Sequence, residues 1–209
     1  MRLPSTQLKG TSRRSAAPSG SFADDPLGHS PSLGQAVRAV SSLLDVAIFE
    51  LLAGDAAGAE REIRPDCEML AGIGETYFLS SMAATLARAL LAQGRDEEAL
   101  TWLETAERTA GGGDIDGQAE CRCVRALILA RQGSLEEAEA LARKGVELAA
   151  QLQTPALKGA LLGDLATVLL HANRPAEARQ ALAEALAVYT AKGDTSSITR
   201  AEKLVATIG

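Results

Sequence analysis

From about residue 33 onward, apolar residues recur at spacings of three and four, and no stretch alternates apolar and polar positions long enough to read as a strand. That periodicity predicts helix almost throughout. The interruptions fall at regular places. Gly54, Gly94, Gly133 and Asn173 each stand where an apolar helical pattern stops, in the related stretches FELLAGDAAGAEREI, ALLAQGRDEEAL, LILARQGSLEEAEAL and VLLHANRPAEARQAL. Gly and Asn tolerate the left-handed backbone of the residue just past a helix end. A helix start follows each. Asp55 and Ser134 fit N-caps, Ser134 with Glu137 fits a capping box, and Pro175 suits the first helical position. Glu97, Glu98, Glu136 and Glu137 lie near the positive end of a helix dipole. The acidity of these corners is thereby explained without a catalytic carboxylate pair.

The corners repeat. Gly54 to Gly94 is 40 residues, Gly94 to Gly133 is 39 and Gly133 to Asn173 is 40. Five residues past each breaker stand Ala59, Ala99, Ala138 and Ala178, and seven before stand Ala47, Ala87, Ala126 and Ala166. Small residues at two fixed points of a two-helix unit mark close backbone approaches, and a period of 39–40 with two helices per unit predicts an α-solenoid. Large apolar residues keep step: Leu86 and Leu165 in the first helix, Leu90, Leu129 and Leu169 one turn on, Leu103 and Leu182 in the second. Over about residues 40–190 this pattern resembles the tetratricopeptide repeat. The resemblance implies an all-α, right-handed α-solenoid of antiparallel helix pairs, and a non-catalytic module binding a protein or peptide. The chain departs from the family pattern in a period of 39–40 rather than 34, which places longer loops at LAGIGET, TAGGGDIDGQ and AQLQTPALK. It also replaces most signature aromatics by Leu and Ala, and puts Arg122 and Arg125 where apolar residues are usual. The expected organisation is a disordered tail at 1–32, then one repeat domain at 33–209. That domain holds about nine helices: four pairs and a closing helix near 195–207.

A narrower likeness runs through GDAAGAEREIRPDCEMLAGIGETYFLSSMAATLARALLAQGRDEEAL, QAECRCVRALILARQGSLEEAEALAR, LLGDLATVLLHANRPAEARQALAEALAVYTAKGD and SITRAEKLVA. These segments resemble the C-terminal helical-repeat region of large actinobacterial signalling proteins, which carry a class III nucleotide cyclase domain, a STAND-type ATPase and then such repeats. This chain has no G-x-x-x-x-G-K-[ST] phosphate loop and no room after its tail for a cyclase domain. The likeness therefore implies the repeat region alone, as a stand-alone regulatory module or as the C-terminal regulatory fragment of a multidomain cyclase or ATPase.

Composition narrows the function classes. Hydrophobic residues make up 46% and aromatics 3%, so the core is built from Leu, Ala, Val and Ile. Residues 1–32 hold Arg2, Lys9, Arg13 and Arg14 against Asp24 and Asp25 and carry +2; the rest carries −8 of the net −6. An acidic body argues against nucleic acid as partner. No 18-residue apolar run or secretory h-region is present, so no membrane partner is expected. Cys67, Cys121 and Cys123 make no disulfide framework, which fits a cytoplasmic protein with buried thiols. No cofactor, metal or catalytic constellation is expected: His29 and His171 stand far apart, and GGGDIDG lacks calcium-loop spacing.

In a tetratricopeptide-type superhelix the first helix of each pair lines the concave face. The resemblance carries that face onto Ser81, Ala84, Arg88, Leu91 and Ala92, then Glu120, Cys123, Leu127, Ala130 and Arg131, then Ala160, Gly163, Thr167, Leu170 and His171. Arg122 and Arg125 are three apart and share a helix face. Inside an apolar stripe they need acceptors, either Glu120 and helix carbonyls or an anionic ligand or partner. Tyr77, Phe78 and Trp102 read as core and inter-repeat packing. The apolar helix near 36–53 invites capping by a second copy, since terminal repeats usually need a polar outer face.

Overall fold

A computed structural model describes residues 43–152 and 154–208. The expected tail at 1–32 and the domain start at 33 lie outside the described residues. Every regular element among those described is an α-helix. Helix α1 is already formed at residue 43 and runs to 53. It is followed by α2 Ala56–Ile73, α3 Tyr77–Ala92, α4 Asp96–Thr109, α5 Ile115–Arg131, α6 Leu135–Ala150, α7 Pro155–His171, α8 Pro175–Lys192 and α9 Thr195–Thr207.

The four repeated corners share one backbone device. Gly54, Gly94, Gly133 and Asn173 have φ of +88°, +77°, +87° and +56°. The next N–H turns back to the carbonyl five residues earlier, from Asp55 to Glu50, Arg95 to Leu90, Ser134 to Leu129 and Arg174 to Leu169, at 2.9–3.0 Å. This is the Schellman closure of a helix end, satisfying carbonyls that would otherwise be orphaned. Gly74 and Gly193 repeat it between units, with Glu75 bonded to Leu70 and Asp194 to Tyr189. Asp55, Asp114 and Asp194 cap the helices that follow by accepting from the N–H of Gly58, Gly117 and Ser197. Pro175 occupies the first turn of α8. Ser134 departs from expectation: it holds the N-cap position of α6, but its hydroxyl makes no cap bond, so the capping box with Glu137 does not form.

All eight repeated alanines are completely buried. Consecutive first helices touch (α3 on α5, α5 on α7), while each second helix packs on its own partner and on the first helix of the next pair. The first helices therefore make the inner layer of the solenoid. Two glycines set the closest approaches. A Cβ on Gly145 of α6 would lie 2.5 Å from the Cys123 sulfur and 2.9 Å from the Ala119 carbonyl of α5, and one on Gly159 of α7 would lie 2.5 Å from the Tyr189 ring of α8.

Two sequence expectations are corrected here. The long period is not absorbed by long loops: α2 runs on to Ile73, and the connections at 74–76, 110–114 and 151–154 are short, so the extra residues lengthen the helices. Tyr77 is not core but 80% exposed. The Glu75 carboxylate accepts from the N–H groups of both Tyr77 and Phe78 at the start of α3, and only the Phe78 ring turns inward against the core. Trp102 is half-buried on the same core.

Candidate functional site

The described helices line an open cavity of about 800 Å³ that reaches from the first described helix to the last. Its apolar lining comes from Ile48 and Leu51 of α1, Leu157 of α7, Leu182 and Tyr189 of α8 and Leu204 of α9. Ala160, Gly163 and Thr167, one turn apart on α7, form a wall of small side chains. The Thr167 hydroxyl donates to the Gly163 carbonyl at 3.0 Å. A Cβ added at Gly163 would meet nothing within 4 Å, so the space in front of it is open.

A charged cluster forms the floor. Arg88 of α3 donates from Nη1 to both carboxylate oxygens of Asp164 of α7, at 2.8 Å each, across two repeat units. Its Nε lies 3.8 Å from Oε1 of Glu120 of α5, an ion-pair distance too long for a hydrogen bond. The three side chains are 17%, 6% and 21% exposed. One cation thus faces two carboxylates, and its hydrogen bonds go to Asp164. Burial pushes the Glu120 carboxyl above its ordinary range. Arg88 opposes that shift, and Asp164, Asp114 and Asp116 add to it.

The corners hold charge clusters of another kind. Arg95 donates to both oxygens of Glu60 at 2.8 Å and also pairs with Glu98, while Arg64 donates to Glu60 at 2.9 Å and Glu98 at 2.6 Å. The same set of two arginines and two glutamates recurs two units on: Arg174 pairs with Glu139 and Glu177, and Arg143 donates to Glu139 at 2.8 Å and Glu177 at 3.1 Å. Two cations meet two acids in each. Burial works to raise Glu60, but the hydrogen bonds from Gln93, Arg64 and Arg95 outweigh it and hold the carboxyl below its ordinary range.

The tetratricopeptide repeat family pattern matches residues 122–191 and again residues 83–105. The chain is a tetratricopeptide-like helical repeat protein. Two crystal structures of the nearly identical TPR-like repeats of a candidate kinesin light chain from Podosopora anserina resemble it. One, a single-substitution form of those repeats, is 21% identical with a TM-score of 0.49, covering 81% of this chain and 84% of that one. The other is 20% identical with a TM-score of 0.48, covering 81% and 94%. Among curated proteins none matches the chain. Tetratricopeptide repeats generally mediate protein–protein interaction and are typically non-catalytic scaffolds.

Within this repeat protein the residues carried over from the family's concave face divide. Arg88, Glu120, Ala160, Gly163 and Thr167 line the cavity. Ala84, Leu91, Cys123 and Ala130 are buried in the core, and Leu127 and Leu170 pack on it half-buried. Ser81 is half-buried, its carbonyl accepting from Thr85. Ala92 and His171 are exposed near the ends of their helices. Arg131 reaches back one unit and donates to the Leu91 carbonyl at 2.7 Å and to Asp96 at 2.6 Å. Arg122 donates to the Gln118 carbonyl at 2.8 Å. Arg125 grips both oxygens of Glu107, not Glu120, at 2.8 and 2.5 Å. The repeat pattern missed the lining from the two end helices, Thr85, Leu157 and Tyr189 within the repeats, and Asp164, a lone acid inside LLGDLATVLL whose burial the apolar run around it signals.

Burial pushes the thiols of Cys67 and Cys121 up to about 12, and that of Cys123 well above the ordinary range. Among the described residues no group of His, Cys, Asp and Glu could hold a metal ion, and no helix is long and apolar enough to cross a membrane.

Proposed function

We propose that the cavity is a docking groove for a segment of another protein, and that the chain is a regulatory interaction module. The observation that carries this reading is the groove itself: about 800 Å³ of space lined by α1, α3, α5, α7, α8 and α9, faced by leucines, small residues and charged side chains that include Arg88 and Glu120. Apolar contact supplies affinity to such a segment, and a few placed charges supply register. Arg88, Glu120 and Thr167 are the side chains assigned to the partner. Arg131 and Arg125 act by holding neighbouring units together, and Arg122 bonds within its own helix. The bidentate grip of Arg125 on Glu107 weighs against an open anion site there. The likeness of the repeats to those of actinobacterial cyclase and ATPase proteins supports a place in bacterial signalling, and the three unpaired thiols support the cytoplasm.

Gly163→Trp tests the groove. The new side chain enters open space, and replacing a helical glycine favours the helix. The variant is expected to keep its melting temperature and lose partner binding; unchanged binding would refute the groove. Self-association through α1, where Phe49 is 68% exposed, is a separate part of the proposal. Light scattering is expected to show a dimer that Phe49→Glu converts to monomer.

A further inference from the structure

The charged floor of the groove is unbalanced in a way that specifies a partner. Asp164, almost fully buried, takes both short hydrogen bonds of Arg88. Glu120 is left with an ion-pair contact of 3.8 Å to the same guanidinium. It faces the cavity and is only one-fifth exposed. A carboxylate removed from most of its water and only distantly paired is costly, and the cost is relieved by a cation brought to it from outside. The acids around it, Asp164 of α7 and Asp114 and Asp116 at the start of its own helix, deepen the need. The groove that it lines also carries small or apolar side chains, among them Thr85, Ala160, Gly163 and Leu157. They leave room for the methylene stem of a long side chain with its charge at the tip.

We infer that Glu120 is the anchor for a lysine or arginine side chain of the bound segment, flanked on the partner by apolar residues. This rests on the groove reading above and adds the chemistry of the occupant. The cluster carries one cation and two acids, while the other charged residues lining the groove, Asp45 and Asp194 with Arg200 and Lys203, balance one another. The cost is borne by the free protein. With burial disfavouring its charged form and Arg88 only partly opposing that, Glu120→Gln is expected to fold at least as stably as the natural chain.

The test is a random peptide library panned on the immobilised full-length chain, with Gly163→Trp, Glu120→Gln and Glu120→Lys panned alongside. The expected peptides carry Lys or Arg at one fixed position between apolar residues and are lost with Gly163→Trp. They bind Glu120→Gln about tenfold or more weakly, the loss of one charge-assisted contact. With Glu120→Lys the fixed position is expected to change to Asp or Glu. Peptides that need the open groove but carry no fixed basic residue, or bind Glu120→Gln unchanged, overturn this inference and leave the groove reading standing. No enrichment on the natural chain, or enrichment indifferent to Gly163→Trp, overturns both.

Discussion

At the corner joining α2 to α4, two arginines meet two glutamates, and the four side chains hydrogen-bond in a closed ring of contacts on the protein's own surface. On the groove floor one arginine meets two acids, gives its short bonds to Asp164 and leaves Glu120 at 3.8 Å. The residue types are the same and the chemistry differs. A cluster with matched charges is closed on the protein's own side chains and has nothing left to offer a partner. A cluster with an excess carboxylate, held in a half-buried concave site, is set up to be completed by something outside the chain. The comparison also explains why acids dense at the corners are uninformative about function while Glu120, the distantly paired acid of the groove cluster, is informative.

Breaking the groove cluster should have the largest effect. Arg88→Met strands Asp164 and Glu120 without their cation, which costs about 3–5 kcal/mol of stability. Urea unfolding at neutral pH is expected to show that loss, and the double variant Arg88→Met with Asp164→Leu is expected to recover most of it. Next come the closest helix approaches. Gly145→Ala, with the Cys123 sulfur and the Ala119 carbonyl in its path, is expected to cost about 1–3 kcal/mol by overpacking, measured in the same way. Asn173→Ala forces a left-handed backbone on a residue that resists it and is expected to cost about 1 kcal/mol, whereas Asn173→Gly is expected to be tolerated. At the corners, Arg95→Ala and Arg174→Ala are expected to leave the melting midpoint where it is, because exposed pairs are screened and entropically opposed. A large loss there would erase the contrast with the groove. The smallest effect is chemical: an alkylating reagent at neutral pH is expected to leave Cys67, Cys121 and Cys123 unmodified until the chain unfolds, because burial keeps them as neutral thiols.

The corners and the alanines were legible because they depend on local chemistry repeated at a fixed interval. A left-handed residue is needed wherever a helix turns sharply back, and a small residue wherever two backbones close, whatever the partner. The groove was legible only in part. Arg88, Glu120, Ala160, Gly163 and Thr167 follow from the repeat register, but the meeting of Arg88 with Asp164 spans two units and depends on how tightly the inner helices stack. Periodicity carries no measure of that curvature. Nor does it reach α1 and α9, which supply Ile48, Leu51 and Leu204 to the groove without carrying the full repeat signature. The longer period misled because residue spacing cannot say whether extra residues extend a loop or a helix. Here each helix continues until its left-handed residue or its cap, as α2 does to Ile73 before Gly74.

The contrast between closed corner and open groove is a contrast in carboxyl acidity, and it fixes two opposite pH dependences. Glu60 and Glu98 are lowered in the folded state: burial raises each, and the hydrogen bonds, from Gln93 and both arginines to Glu60 and from both arginines to Glu98, outweigh it. Their contribution to stability is present above the unfolded-chain value and is lost as pH falls through the folded one. Glu120 is raised, so its ionisation weakens the fold, and that loss is recovered as pH falls through its folded value. A carbon-13 NMR titration of the glutamate side-chain carboxyls reads all three in one experiment. The expected result is Glu120 titrating above the ordinary glutamate value with Glu60 and Glu98 below it. Glu120 titrating alongside Glu60, at or below the ordinary value, would show a groove carboxylate as fully matched as those at the corners and would contradict the account.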